Sequence, residues 1–280
     1  MNIFELVEKR ELNPSDEFHR LAAIFNKQFW YSPYKKYASL KKILDRSFFH
    51  CSCRSSFLSI DDLLKSLDIN EETSYRVSWE TLFTYCEIIR NVSVANLCPT
   101  DQDDEFDRYF SMIQNNMNVI LEKTNHEWAK IEQGYVIVDK NPATTEAIEC
   151  LEEKNADLAL NLIEYNRVLL KGNLQRKREI LANMAGYVEP MQIFLKGTNY
   201  YPLYNDSRHM ANKLNIRHNN SGKEDLPEYA KDWGPKEYEE WYDNAYHTLL
   251  MVILAKKQLE ITQAFNKLKS DESKKDITKA

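Results

Sequence analysis

Residues 205–220 gather the most reactive side chains of the chain into a short span. Two Arg-His pairs, Arg208 with His209 and Arg217 with His218, stand among asparagines at 205, 212, 215, 219 and 220. Arginine offers a planar fork that clamps phosphate, and histidine is the side chain most easily set as acid or base near neutral pH. Asparagine brings both donors and acceptors to hold such groups. Leu214 and Ile216 are apolar and are expected to anchor the segment to a core, presenting Arg217 and His218 in a fixed place. The plainer reading is a polar loop between two helices, capped by its own Asn and Asp side chains.

Three other groups invite chemistry, and each has a structural explanation. His50, Cys51 and Cys53 have zinc-ligand chemistry, but Cys-x-Cys is not the usual knuckle spacing and no second pair follows. Buried free thiols beside Phe48, Phe49 and Phe57 explain them better, so no metal site is expected. The acidic residues Asp101, Asp103, Asp104, Glu105 and Asp107 open a helix, where the dipole favours negative charge. Lys171, Arg176, Lys177 and Arg178 form a basic patch that reads as a solvated face, with phosphate binding as the alternative. Tyr238, Trp241, Tyr242 and Tyr246 recur at helical spacing and read as core or dimer interface.

The elements that must carry these residues are helical. Apolar periodicity marks helices over 15–30 (Ser15 or Asp16 as N-cap), 35–49, 59–67, 79–92 and 100–131. A strand over 134–142 is signalled by Val136, Ile137 and Val138, with a partner at 128–132. Further helices follow over 144–153, 156–170 and 174–194, the last ending or kinking near Pro190. The stretch 196–234 reads as loop with a short helix near 207–214. Pro235 then suits the first position of a final helix over 236–268. The expected fold is all-α, two helical halves joined by a short β-hairpin. The N-terminal domain covers 1–130; the C-terminal one, 131–280, takes the hairpin at 131–142 and a disordered tail at 270–280.

The strings IVDKNP (137–142), EYN (164–166), LKGN (170–173), LNIRHNN (214–220) and EEWY (239–242) resemble bacterial proteins associated with abortive infection, a form of phage defence. The polar Arg-containing motif before a long last helix is similar to HEPN domains, helical modules that often act as metal-independent ribonucleases. The resemblance covers residues 135–268. It implies that Arg217 would stabilise the phosphate, His218 act on the ribose hydroxyl and Asn219 orient them, with Arg208, His209 and Lys213 as RNA contacts. HEPN nucleases separate the Arg from the His by about four to six positions, whereas here His218 follows Arg217 directly. The motif therefore departs from the catalytic pattern, and a non-enzymatic interaction or dimerisation module working through the C-terminal helix is the alternative.

Composition narrows the rest. Only 6 glycines occur in 280 residues, and glycine-rich phosphate loops and dinucleotide fingerprints are absent. No nucleotide cofactor, nor any other, is expected. Net charge is −6, so any nucleic-acid contact must be local. The longest apolar run, residues 249–255, is far too short to span a bilayer. Five cysteines without paired spacing and an acidic N-terminal stretch point to reduced thiols and the cytoplasm.

Overall fold

A computed structural model describes residues 10–71, 76–95, 104–151, 155–217 and 227–277, with side chains as far as 269. The chain divides into two compact units, 1–140 and 141–280, so the boundary falls after the hairpin instead of before it. The described residues are mainly helical, with two small two-stranded antiparallel hairpins. None of their helices is long and apolar enough to cross a membrane.

In the first unit, helix α1 (Pro14–Phe25) is capped by Asn13, whose side chain accepts from the amides of Ser15 and Asp16. Sequence periodicity carried this helix to residue 30. It stops at Asn26 because the next aromatic-rich stretch forms a hairpin, β1 (Phe29–Tyr31) with β2 (Lys36–Ala38). Ser39 then caps a short helix α2 (Leu40–Asp45), and Ser59 caps α3 (Ile60–Ser66). Helices α4 (Trp79–Ala95) and α5 (Asp104–Lys123) follow. Phe18, Leu21, Phe25, Leu82, Tyr85, Ile89 and Ile113 supply much of this unit's core.

Helix α5 ends well before 131 because Asn125 adopts positive φ and starts the second hairpin, β3 (His126–Ile131) with β4 (Gly134–Asp139). Helix α4 secures it. Asn91 exchanges two hydrogen bonds with the backbone of Tyr135 (2.7 and 2.8 Å), and the amide of Ile137 donates to Glu87 at 2.8 Å. Two side chains one helical turn apart thus satisfy the free edge of a strand.

The second unit begins with α6 (Pro142–Glu149), capped by Asn141, and α7 (Ala156–Tyr165). Helix α8 (Leu174–Val188) gives way at Pro190 to a 3-10 turn and the short α9 (Gln192–Leu195). Helix α10 (Tyr201–Lys213) occupies ground that composition marked as loop. The last helix, α11 (Pro235–Ile277), runs 43 residues, about 65 Å, through most of the expected tail. Its first part is the centre of the core: Tyr246, Leu249, Leu250 and Ile253 pack with Ile180, Leu181 and Met184 of α8 and Tyr204 and Ala211 of α10.

Candidate functional site

The Arg-His cluster is split by the fold. Asn205, His209, Asn212 and Lys213 lie on α10 away from the buried Tyr204, Ser207 and Ala211, whereas Arg208, one turn after Tyr204, borders the niche that those buried residues line. Arg208, His209 and Lys213 are exposed. Leu214 and Ile216 are buried anchors, as their apolar character suggests. Arg217 follows them, its amide donating to the Ala211 carbonyl at 3.0 Å. His218 and Asn219 lie outside the described residues.

Arg217 is engaged within the fold. Its guanidinium is paired with Glu189, at the C-terminal end of α8, in a niche walled by Val188, Tyr204 and Ser207. Arg217, with Arg208 nearby, holds the Glu189 carboxyl below the usual carboxylate range. One guanidinium nitrogen is given to this carboxylate, which fixes the arginine toward α8 and competes with any phosphate for it.

Of the basic patch at the start of α8, Lys171 is exposed, as a solvated face requires, whereas Arg176 and Lys177 are engaged within the fold, which corrects that reading for these two. Arg176 forms two hydrogen bonds to Glu164 at 2.8 and 2.7 Å and a third to Glu179 at 3.0 Å. Lys177 is buried, with 5% of its surface exposed. Its ammonium meets Asp243 at 2.7 Å and Glu239 at 2.9 Å and lies 5.2 Å from the centre of the Tyr165 ring. Tyr165 donates to Asp243 at 2.9 Å and stacks on Tyr246 at 4.0 Å. Burial, and then Asp243, push the Tyr165 hydroxyl far above its ordinary range, so it stays a neutral donor.

Beneath that stack, the Asn166 amide contacts Tyr246 Oη (2.6 Å), Leu162 O (2.8 Å) and Thr144 Oγ1 (3.1 Å). Asn141 donates to Asn166 Oδ1 at 3.3 Å. Segments quoted above from four separate places in the sequence therefore meet in one buried network. Its members satisfy one another, and the arrangement is that of a clasp joining α6, α7, α8 and α11.

The first unit has a comparable clasp beside an open cleft of about 950 Å³ lined by His19, Asn26, Lys41, Asp61 and Glu71. Lys41 pairs with both Asp61 and Glu71, and Glu71 also accepts from Asn26 (3.1 Å) and the Tyr85 hydroxyl. Burial pulls the Lys41 ammonium down most, but the two carboxylates together outweigh it and its pKa is raised. No nucleophile is left free in this group.

Cys51 and Cys53 are joined as a disulfide, correcting the expectation that all cysteines are reduced. Their Cα atoms are 5.3 Å apart, inside the range a disulfide spans. Cys86 and Cys150 are free thiols, and Cys98 lies outside the described residues. Asp104, Glu105 and Asp107 occupy the first turn of α5, as expected, while Asp101 and Asp103 are outside the described residues. No metal-binding group of three His, Cys, Asp or Glu occurs among the described residues.

The feature that sequence reading passed over is on α11. Beyond Ala255 none of its described residues is buried, and residues 260–269 are all exposed. Yet Met251, Ile261, Phe265 and Leu268 present between 51% and 66% of their surfaces to solvent along one stripe. The signal is present in their helical spacing, beyond the aromatic residues 238–246 on which the sequence reading dwells. No protein-family model, curated protein or solved structure matches the chain.

Proposed function

We propose that this chain is a non-enzymatic helical interaction module that engages a partner protein through the projecting part of α11. The observation that supports it is the bare apolar stripe at Ile261, Phe265 and Leu268, where α11 has left its own core, continuing from the half-exposed Met251. A helix with no apolar face buried is marginal in water, and a stripe of large side chains without a partner marks an interaction surface. The pairing of Arg217 with Glu189 argues in the same direction, since the carboxylate competes with phosphate for the guanidinium.

The test is the double variant Ile261→Glu with Phe265→Glu. On this reading it unfolds at the same denaturant concentration as wild type when both are dilute, because Ile261 and Phe265 lie beyond the last buried residue of α11 and are more than half exposed. A loss of about 3 kcal/mol, as a core substitution gives, would mean the stripe belongs to the fold, and the reading would fail.

RNA binding is the second reading, favoured by the exposed Arg208, His209 and Lys213 of α10. A fluorescent single-stranded RNA, titrated at 50 mM and 200 mM salt, checks it. Binding that weakens in Arg208→Ala with Lys213→Ala and at the higher salt would support that reading. RNA cleavage without metal, lost in both Arg217→Ala and His218→Ala with the fold intact, would restore the nuclease.

A further inference from the structure

Along α11 the stripe alternates steps of three and four: Met251, Leu254, Gln258, Ile261, Phe265 and Leu268. This 3.5-residue period is the one that keeps a seam facing a second helix through a left-handed supercoil. A helix on a globular surface shows the same steps, and Leu254 does pack partly on the chain's own core, but the stripe runs on past Ala255, the last buried residue. We propose, resting on the interaction reading above, that the partner is a second copy of this chain and that the two α11 helices pair in parallel along this seam.

Three observations select this occupant. The first is Gln258, the one polar residue in the seam. In a parallel pair it meets its own copy in the same layer, where each amide both donates and accepts. In an antiparallel pair with the same apolar overlap it would face Ile261. The second is charge. Parallel pairing sets Lys257 across from Thr262 and Ala264 across from Lys269, so charge permits self-pairing, although it does not by itself choose between the two directions. The third is area. The seam extends for about 27 Å, and covering its half-exposed side chains on both copies would bury on the order of 1,000 Å², the lower bound for a specific dimer.

A seam this short gives a weak, concentration-dependent dimer. Sedimentation equilibrium of the full chain between 5 and 500 µM should show monomer passing to dimer, with a dissociation constant between about 1 and 100 µM. Ile261→Glu with Phe265→Glu should leave it monomeric across that range. Orientation is read with Phe265→Cys, which on mild oxidation should give a disulfide-linked dimer that wild type, with its native cysteines, does not. A wild type monomeric at 500 µM would overturn self-pairing. So would a dimer that survives the double glutamate variant. Cross-linking of Phe265→Cys only to a Leu254→Cys copy would overturn the parallel arrangement. The interaction reading stands or falls separately, on whether the glutamate variant keeps its folding stability when monomeric.

Discussion

Lys177 carries the clearest residue-scale argument. A buried ammonium is tolerated only when charge and hydrogen bonds replace its lost water, and here Asp243, Glu239 and the Tyr165 ring do so. Lys177→Met keeps the length of the side chain but leaves two carboxylates and the Tyr165 hydroxyl without their cation. Breaking a fully buried pair from one side costs about 3–5 kcal/mol, but Asp243 is partly exposed, so about 2 kcal/mol is expected. Urea unfolding followed by far-UV circular dichroism measures it; a change below 0.5 kcal/mol, the scale of an ordinary surface substitution, would remove the clasp from the account. Neither Lys177 nor its partners were legible as a cluster in the sequence. Lys177 sits within a run of basic residues, and its acids lie more than sixty positions away on α11. Ion pairs between distant helices leave no local trace. Arg217 misled for the same reason, since nothing near it in sequence announces Glu189.

At the scale of the element, local rules worked where the signal was local. Ser59 as a cap, the break at Pro190, the Val136–Val138 strand and Pro235 at the start of α11 all follow from chemistry within four residues. The failures came where two elements compete for one stretch. Ser32 and Pro33 signal a turn between helices over 15–30 and 35–49, and the turn is there, yet the aromatic residues on either side of it pair as strands instead. Only 207–214 reads as helix within the loop-like stretch 196–234, because Pro202 and the consecutive polar residues 205–209 hide the first turns of a helix that starts at Tyr201. The second hairpin offers a sharp test of how elements are joined. Gly134 has φ +142°, and a Cβ there would stand 2.1 Å from Asn91 Oδ1, the atom that accepts the Tyr135 amide. Gly134→Ala therefore meets both a strained backbone and a displaced hydrogen bond. A loss of about 2–3 kcal/mol is expected, with faster hydrogen exchange of the Tyr135 and Ile137 amides. Asn91→Ala removes the clash along with the bonds, so the double variant should cost less than the sum of the singles.

For the molecule as a whole, two units with separate cores imply that stability is not one quantity. Lys177→Met should lower the transition of the second unit and Gly134→Ala that of the first, which labels the two transitions in a denaturant titration. Acid then distinguishes them. Glu164 and Glu179 are held below the ordinary 4.5 by Arg176, and Glu189 by Arg217. Burial raises Glu239, but the Gly172 amide and Lys177 outweigh it and its pKa is lowered as well. All four lie in the second unit. A carboxylate whose pKa is lower folded than unfolded contributes its stabilisation fully above 4.5, and the contribution disappears as pH falls through the folded value. Lowering the pH from 6 to 3 should therefore move the transition marked by Lys177 to lower urea. Glu179 and Glu189 are surface groups that salt screens, whereas Glu239 is sheltered. Part of the acid sensitivity should accordingly persist in 0.5 M sodium chloride and vanish in Glu239→Gln. If added salt abolished all of it, the surface pairs would be its source and the Lys177 clasp would have no part in the pH response.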